Sequence, residues 1–99
     1  MNGISLLKCI CDETRFGILE LLQENQEMCV NDIVKELKKD QPLVSHHLKT
    51  LKKCGIVKSR VHGKKSMYAI TNNQLSELIS SVTNTSKKIP VLCHDEKCC

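Results

Sequence analysis

The 99-residue sequence predicts a small, mostly α-helical domain that carries one β-hairpin. Three observations support this fold class. Apolar residues recur at helical spacing in several segments. The chain has one Phe, one Tyr and no Trp, so its core must come from Leu, Ile and Val, which suits packed helices better than an aromatic-rich sheet. Residues 56 to 70 instead alternate apolar and polar side chains, as paired strands do.

The first third of the chain predicts two helices. Residues 4 to 10 are apolar enough to form a short helix that joins either the next helix or a partner subunit. Asp12 then stands where an N-cap belongs, and Glu13 is favourable to the helix dipole in the first turn. A run of Leu and Ile residues follows, so we expect a core helix that ends near Glu24 or Asn25.

Two helices joined by a short turn are predicted in the middle of the chain. Residues 30 to 37 place apolar side chains at helical spacing, and residues 38 to 40 form the turn. The next helix begins after Asp40 as N-cap, carries Pro42 in its first turn and ends at Gly55. Its apolar positions are Leu43, Val44, Leu48, Leu51 and Ile56, and its polar positions are Ser45, His46, His47, Lys49, Lys52 and Lys53. This pair satisfies the helix-turn-helix template, with a plain helical hairpin as the alternative.

A basic hairpin follows directly. Residues 56 to 61 and 66 to 70 are the predicted strands, and the turn between them reads His-Gly-Lys-Lys. A hairpin in this position after a helix-turn-helix is a wing. The two elements in this order predict a winged helix-turn-helix, which is a more specific result than the helix pair alone.

A final helix is predicted from Asn72 or Asn73 onward. It carries an apolar stripe of Leu75, Leu78, Ile79 and Val82, which can seal its own core or face a second subunit. The periodicity is lost from residue 83, and Pro90 breaks any continuing helix. We therefore expect the helix stripe to end near residue 82 and a tail to follow.

Charge is concentrated in the middle of the chain. Counting Lys, Arg, Asp and Glu, residues 1–37 carry a net charge of −4, residues 38–65 carry +8 and residues 66–99 carry none. A lysine-rich solvated face is the common explanation for a charge run. Here the excess coincides with the predicted helix-turn-helix and wing, which is the electrostatic footprint of a nucleic-acid-binding protein.

The seven cysteines raise the question of compartment. Lys8 interrupts the apolar residues near the N-terminus, so no signal peptide is predicted, and no apolar run approaches the length of a membrane span. An odd number of cysteines leaves at least one thiol unpaired. We therefore expect a cytoplasmic protein with reduced thiols and no membrane partner.

Four motifs within residues 4 to 82 resemble the ArsR/SmtB family of winged-helix metalloregulatory repressors: CDETRFGILELL (11–22), MCVNDIVKEL (28–37), QPLVSHHLKTLKKCGIV (41–57) and VHGKKSMYAI (61–70). The resemblance implies a homodimer that binds double-stranded operator DNA with an inverted repeat and leaves it when a toxic thiophilic ion binds. It also implies a DNA-binding and dimerisation domain over residues 1–88 and a cysteine-rich tail over residues 89–99. One departure is Lys38, which stands in the turn where family members commonly have Gly.

The same resemblance assigns DNA contacts residue by residue. Base-edge or phosphate contacts fall on Gln41, Ser45, His46 and His47, with Lys49 as a phosphate contact and Arg60, Lys64 and Lys65 contributed by the wing. The chemistry supports these roles, because Ser and His offer short, directional groups to base edges. Lys neutralises phosphate, which positions the protein without specifying sequence. Local packing is the alternative role for either histidine.

The inducer is expected to be a soft ion, because thiolates select such ions. Cys93, Cys98 and Cys99 lie within seven residues and can converge on As(III) or Sb(III), since As(III) prefers three thiolates. Some arsenic-sensing relatives look similar in placing a cysteine cluster after the last helix. Incidental cysteines in a disordered terminus are the alternative for this cluster, and Cd(II) or Pb(II) is the alternative inducer.

Cys29, Cys9 and Cys11 are the second choice of metal ligands. Cys29 matches the first cysteine of the CVC motif that other arsenic and cadmium sensors carry, but the second position here is Asn31. Cys9 and Cys11 stand where relatives often have Ala, so a packing role competes. Cys54 is predicted to be a packing residue.

Two further functions were weighed against release by an ion. A thiol-redox-sensing repressor would pair Cys93 with Cys98 or Cys99 in a reversible disulfide. A small thiol enzyme is disfavoured, because the chain has neither a C-x-x-C motif nor a phosphate-cradling glycine loop. A zinc site on the last helix is also disfavoured, since Glu77 is the one suitable donor there. We expect no enzymatic activity.

Overall fold

The computed structural model describes residues 1–90, which form five helices and three strands. In chain order these are α1 Gly3–Ile10, α2 Glu13–Asn25, β1 Met28–Cys29, α3 Val30–Leu37, α4 Gln41–Lys53, β2 Val57–His62, β3 Lys65–Ile70 and α5 Asn73–Lys88. The α3–α4 pair followed by the β2–β3 hairpin confirms the predicted winged helix-turn-helix. No helix among these residues has both the length and the apolar character needed to cross a membrane.

The helix starts divide into two groups. The side chains of Asn2, Asp12 and Asn72 accept backbone N–H bonds at the starts of α1, α2 and α5. Asp12 thus confirms the predicted cap, because its Oδ2 accepts the Arg15 N–H at 3.0 Å. Asp40 also occupies the predicted N-cap position of α4, but its side chain makes no cap bond. The first turn of α4 therefore keeps backbone donors available to another acceptor.

The core is aliphatic, as the composition predicted. Helix α2 lies at its centre and packs against α3, α4, α5 and β3. The fully buried side chains are those of Ile18, Leu19, Leu22, Ile33, Val44, Leu48, Leu51, Ile56, Val57 and Ile79. Burying one such side chain is worth about 1.5–3 kcal/mol, so the buried face of α4 fixes the orientation of that helix on the core.

The sheet has one more strand than predicted. Its order is β1-β3-β2, and both pairings are antiparallel. Strand β1 contains only Met28 and Cys29, which pair with Tyr68 and Met67. A two-residue strand shows no alternation that a sequence pattern can reveal. It forms because β3, about 40 residues later in the chain, pairs with it.

Two glycines adopt the backbone conformations that the turns require. Gly55 has a φ of 81° just after α4, and Gly63 has a φ of 66° at the tip of the β2–β3 hairpin. Both lie in the left-handed region that glycine enters at little cost. Thr71 Oγ1 fastens the first of these turns by donating to the carbonyl oxygens of Gly55 and Ile56, at 3.0 and 3.1 Å.

Two features of the helices differ from the sequence expectations. Helix α5 continues to Lys88, beyond the apolar stripe, where the sequence predicted a tail without periodicity from residue 83. Its last turns are held by polar contacts, among them Thr83 Oγ1 donating to Glu20 Oε2 at 2.8 Å, which an apolar stripe cannot reveal. Leu43, expected on the buried face of α4, is 39% exposed. The predicted ligands Cys93, Cys98 and Cys99 lie outside the described residues.

Candidate nucleic-acid interface

Helix α4 exposes a polar face on the side away from the core. Gln41, Ser45 and Lys49 recur every four residues and are all exposed, with His46 beside them. Val44, Leu48 and Leu51 are completely buried on the other side. Because the buried face fixes the helix, the exposed side chains are held in one register, which a helix that reads a DNA groove requires.

The wing adds exposed charge beyond α4. Lys64 and Lys65 lie at the turn between β2 and β3, and both are exposed. We call the exposed residues Gln41, Ser45, His46, Lys49, Lys64 and Lys65 the cationic surface. The acidic residue at the start of α4 is Asp40 at the N-cap, which makes no cap bond, and the first turn itself contains no acidic residue.

His47 does not belong to this surface. Its side chain is only 15% exposed, and its Nε2 lies 3.8 Å from Asp12 Oδ2. Its Nδ1 is buried and has no hydrogen-bond partner within residues 1–90. Successive residues of a helix point about 100° apart, so His46 and His47 face different surroundings. The structure therefore places His47 against the start of α2, away from the row of exposed side chains.

Arg60 is held by an acidic residue that sequence reasoning missed. Its Nε and Nη2 donate to the two carboxylate oxygens of Glu27, at 2.7 and 2.8 Å. This hydrogen bonding holds the pKa of Glu27 below its usual range and raises that of Arg60. The contact joins residues 33 positions apart, so no local pattern could have found it. Arg60 is exposed, but its guanidinium is already paired.

A second tie fixes the end of α4 to the wing. Lys52 Nζ donates to Ser59 Oγ on β2 at 2.7 Å. Lys52 was predicted only as part of a cationic helix face. In the structure it also joins α4 to β2. This bond and the packing of α4 against β2 fix the position of the hairpin relative to the helix.

The cysteines within residues 1–90 are distributed over several places. Cys11 is exposed at the end of α1, and Cys29 is buried at the start of α3. Cys9 and Cys54 are both half-buried against the core, and the Cys9 thiol, with burial adding to its effect, raises the pKa of Cys54. In this part of the chain no three His, Cys, Asp or Glu side chains come together to hold an ion. One protomer therefore does not assemble the second-choice set Cys9, Cys11 and Cys29.

Known proteins are similar to this chain in sequence and in fold. Residues 12–59 match the family model described as bacterial regulatory protein, arsR family. An uncharacterized HTH-type transcriptional regulator of Methanocaldococcus jannaschii is 49% identical over 81 residues, which are 82% of this chain and 91% of that protein. The arsenical resistance operon repressor of Escherichia coli K12 is 41% identical over 68 residues, which are 69% of this chain and 58% of the repressor.

A solved structure is similar to this chain in fold. Reduced HlyU from Vibrio cholerae N16961 superposes with a TM-score of 0.78 at 26% identity, over 84% of this chain and 86% of that one. The shared element order, the family match and the extent of the sequence identity lead to one conclusion. The chain belongs to the ArsR family of DNA-binding transcriptional repressors and is not an enzyme.

Proposed function

We propose that this repressor acts as a homodimer on an inverted-repeat operator and releases it when As(III) or Sb(III) binds cysteine thiolates. The exposed row of Gln41, Ser45 and Lys49 on α4 is the observation that carries the operator part. Gln41 and Ser45 offer donors and acceptors to base edges, and Lys49 neutralises phosphate. Lys64 and Lys65 extend the contact along the DNA backbone from the wing.

The homodimer is supported by apolar side chains that the single chain leaves exposed. They are Ile4 and Leu7 on α1 and Leu78, Val82 and Ile89 on or just after α5, and we call them the apolar surface. Helices α1 and α5 are neighbours, since Ile10, Cys11 and Val82 line one cavity of about 420 Å³. A second copy of the chain presents the same apolar side chains and is the occupant of this surface. The two α4 helices of the resulting dimer would read half-sites about 34–36 Å apart.

The ion part of the proposal rests on thiol chemistry. Three cysteines of the tail, Cys93, Cys98 and Cys99, can offer three thiolates to one As(III) ion. The E. coli relative is a repressor of an arsenical resistance operon, which favours the same inducer class here. Cd(II) and Pb(II) are the alternative ions, and oxidation of the same thiols is the alternative signal.

Release requires the bound ion to favour the DNA-free form. Cys93 follows the end of α5 at Lys88 by only five residues. An ion that draws the tail together would therefore pull on the helix that carries Leu78 and Val82 of the apolar surface. A coupling of about 1–3 kcal/mol, typical of such linkage, would weaken operator binding about 5- to 150-fold.

The test is operator binding with and without arsenite. A duplex selected by the protein from a randomised pool would be titrated by fluorescence anisotropy with the wild type, with Cys93→Ser and with the matched variant Cys54→Ser. We expect arsenite to weaken binding of the wild type and of Cys54→Ser, and to have no effect on Cys93→Ser.

The outcomes separate the alternatives. Normal release from Cys93→Ser would remove the tail site from the proposal. Release by Cd(II) but not by arsenite would replace the inducer and keep the repressor. Release by peroxide that a dithiol reverses, in a metal-free buffer, would replace ion binding by oxidation.

A further inference from the structure

His47 and Asp12 form a polar contact between α4 and the start of α2 that the proposed operator contacts do not use. The imidazole Nε2 lies 3.8 Å from Asp12 Oδ2, and the His47 side chain is 15% exposed. A hydrogen bond between nitrogen and oxygen spans about 2.7–3.2 Å, so this contact is near but not closed. It links the helix that carries the exposed row of Gln41, Ser45 and Lys49 to the helix at the centre of the core.

The Asp12 carboxylate is held in its charged form. Its Oδ2 accepts the Arg15 backbone N–H at 3.0 Å, as the N-cap of α2. This hydrogen bond holds the pKa of Asp12 below its usual range, and the nearby imidazole of His47 adds to the effect. Imidazole side chains usually change charge between about pH 5 and 8, where such a carboxylate is ionised. His47 is therefore the member of the pair that can take up a proton.

Two surroundings of the imidazole act on that proton in opposite directions. The Asp12 carboxylate attracts the imidazolium form. Nδ1 is buried and has no hydrogen-bond partner within residues 1–90. Both ring nitrogens of an imidazolium are donors, so protonation leaves a buried N–H unpaired at a cost. A proton held between opposing effects responds to an added charge, such as the phosphates of a duplex on the neighbouring face of α4.

The other charged groups around α4 leave Asp12 as the main partner. Asp12 is the one carboxylate of residues 1–90 within 4 Å of a His47 ring nitrogen. Helix α2 also carries the half-buried Arg15, and the His46 ring lies beside the His47 ring with 5.5 Å between centroids. Elements α1, α3 and β2 also pack against α4, and their charged side chains are all exposed. The half-buried titratable group that these three elements contribute is the Cys9 thiol.

We propose that His47 is a proton-linked positioning residue for operator binding. Uptake of a proton by its imidazole closes the contact with Asp12 and fixes α4 against α2, and the phosphates of bound DNA favour the same charged form. Because linkage is reciprocal, operator affinity then rises as the pH falls through the imidazole range. The inference rests on the proposed contacts of α4 with DNA and adds control by pH to them.

The test is the pH profile of operator affinity. The full chain would be titrated by fluorescence anisotropy against the selected duplex at about pH 6, 7 and 8, at constant ionic strength, with a reductant and without metal ions. We expect the wild type to bind at least about 5-fold more tightly at the lowest pH than at the highest, which is the lower end of typical coupling between two sites. His47→Gln should lose most of this dependence, because an amide takes up no proton in this range.

Two matched variants separate the pair from its neighbours. Asn is as good an N-cap as Asp, so Asp12→Asn keeps α2 capped while it removes the charge beside His47. It should flatten the pH profile as His47→Gln does, and the double variant should lose no more than either single variant. His46→Gln removes an exposed imidazole one residue away and should keep the part of the profile that added salt does not suppress.

The outcomes distinguish this inference from the proposed function. Circular dichroism would establish that each variant is folded. A pH profile that survives in both His47→Gln and Asp12→Asn would overturn the inference, as would an equal loss of affinity at every pH, which is what a merely structural contact predicts. Lys49→Gln would be titrated in parallel. If it leaves the affinity unchanged, the proposed contacts of α4 fail and the inference fails with them.

Discussion

The cationic surface on α4 and the wing differs from the apolar surface on α1 and α5 in what each needs in order to act. On the cationic surface the side chains are separate and exposed, so under the proposed function each contributes to DNA binding on its own. On the apolar surface the side chains act together, because they are removed from water only when a partner covers the whole patch. We therefore expect a single substitution on the cationic surface to lower DNA affinity by a limited amount, and a single substitution on the apolar surface to abolish assembly.

The cationic segment also shows that charge in the sequence is not the same as charge available to DNA. Residues 38–65 carry a net charge of +8. Within this segment the Arg60 guanidinium is paired with Glu27, and Lys52 donates to Ser59. The predicted base contact His47 lies against Asp12. The fold therefore divides the basic residues into those left exposed on the cationic surface and those that pair with other side chains of the chain.

The largest effect is expected from charging the apolar surface. Leu7→Glu should convert the proposed dimer to a monomer and weaken operator binding by about 10²–10⁴-fold, because the gain from linking two half-site contacts is lost. Sedimentation and anisotropy would measure the two effects. Ser5→Glu, on the same helix but outside the apolar surface, is the control. A Leu7→Glu protein that still sediments as a dimer would show that the apolar surface is not the dimer interface.

Substitutions on the cationic surface should give graded effects of two kinds. Gln41→Ala should lose about 1–3 kcal/mol of discrimination between operator and altered sequences, because it removes a base-edge contact. Lys49→Gln should weaken binding to all duplexes and reduce the slope of log affinity against log salt by about 0.9. Anisotropy titrations at several salt concentrations would separate these results, with Lys8→Gln on α1 as the control. A Lys49→Gln variant that changed sequence preference but not the salt slope would reverse the assignment.

A substitution in the turn between α3 and α4 should change the free energy of unfolding but not the proposed contacts with DNA. Lys38 has a φ of 55°, in the left-handed region that costs a non-glycine residue about 1–2 kcal/mol. Lys38→Gly should therefore raise the free energy of unfolding by about 1 kcal/mol, after the greater flexibility of glycine in the unfolded chain is subtracted. Urea denaturation would measure it, with Lys39→Gly as a matched control that should not stabilise. Equal destabilisation by both substitutions would contradict the argument.

The smallest effect concerns the pairing of Arg60. Glu27→Gln should release the guanidinium to DNA and steepen the salt dependence of binding by about one phosphate contact. Because Arg60 holds the pKa of Glu27 below its usual range, the ion pair stabilises the fold above the unfolded-state pKa of about 4.5. That stabilisation is lost as the pH falls through the lower folded-state pKa.

Thermal melts of the wild type and Glu27→Gln should therefore differ at neutral pH and converge in acid. Glu24→Gln is the control, because Glu24 is exposed on α2 and forms no ion pair within residues 1–90. An unaltered salt slope in Glu27→Gln, together with a melting difference that persists at low pH, would show that Glu27 does not restrain Arg60.

Much of the fold could be predicted because its determinants are local. The alternation around Gly63, the cap at Asp12 and the apolar spacing from Val30 to Leu37 each lie within a few residues of sequence. Strand β1 could not be predicted, because two residues become a strand only when β3 lies alongside. The last turns of α5 were missed for a related reason, since a contact between Thr83 and Glu20 replaces the apolar stripe there.

The sequence was sufficient to predict the order of the five helices and the hairpin, the aliphatic core, and the basic segment typical of a DNA-binding repressor. These properties depend on residue type and on spacing along the chain. The tertiary structure was needed to show which basic residues remain unpaired, that Arg60 pairs with Glu27, and that His47 faces Asp12. Those pairings join residues 33 and 35 positions apart, and packing of the core brings such distant side chains close together.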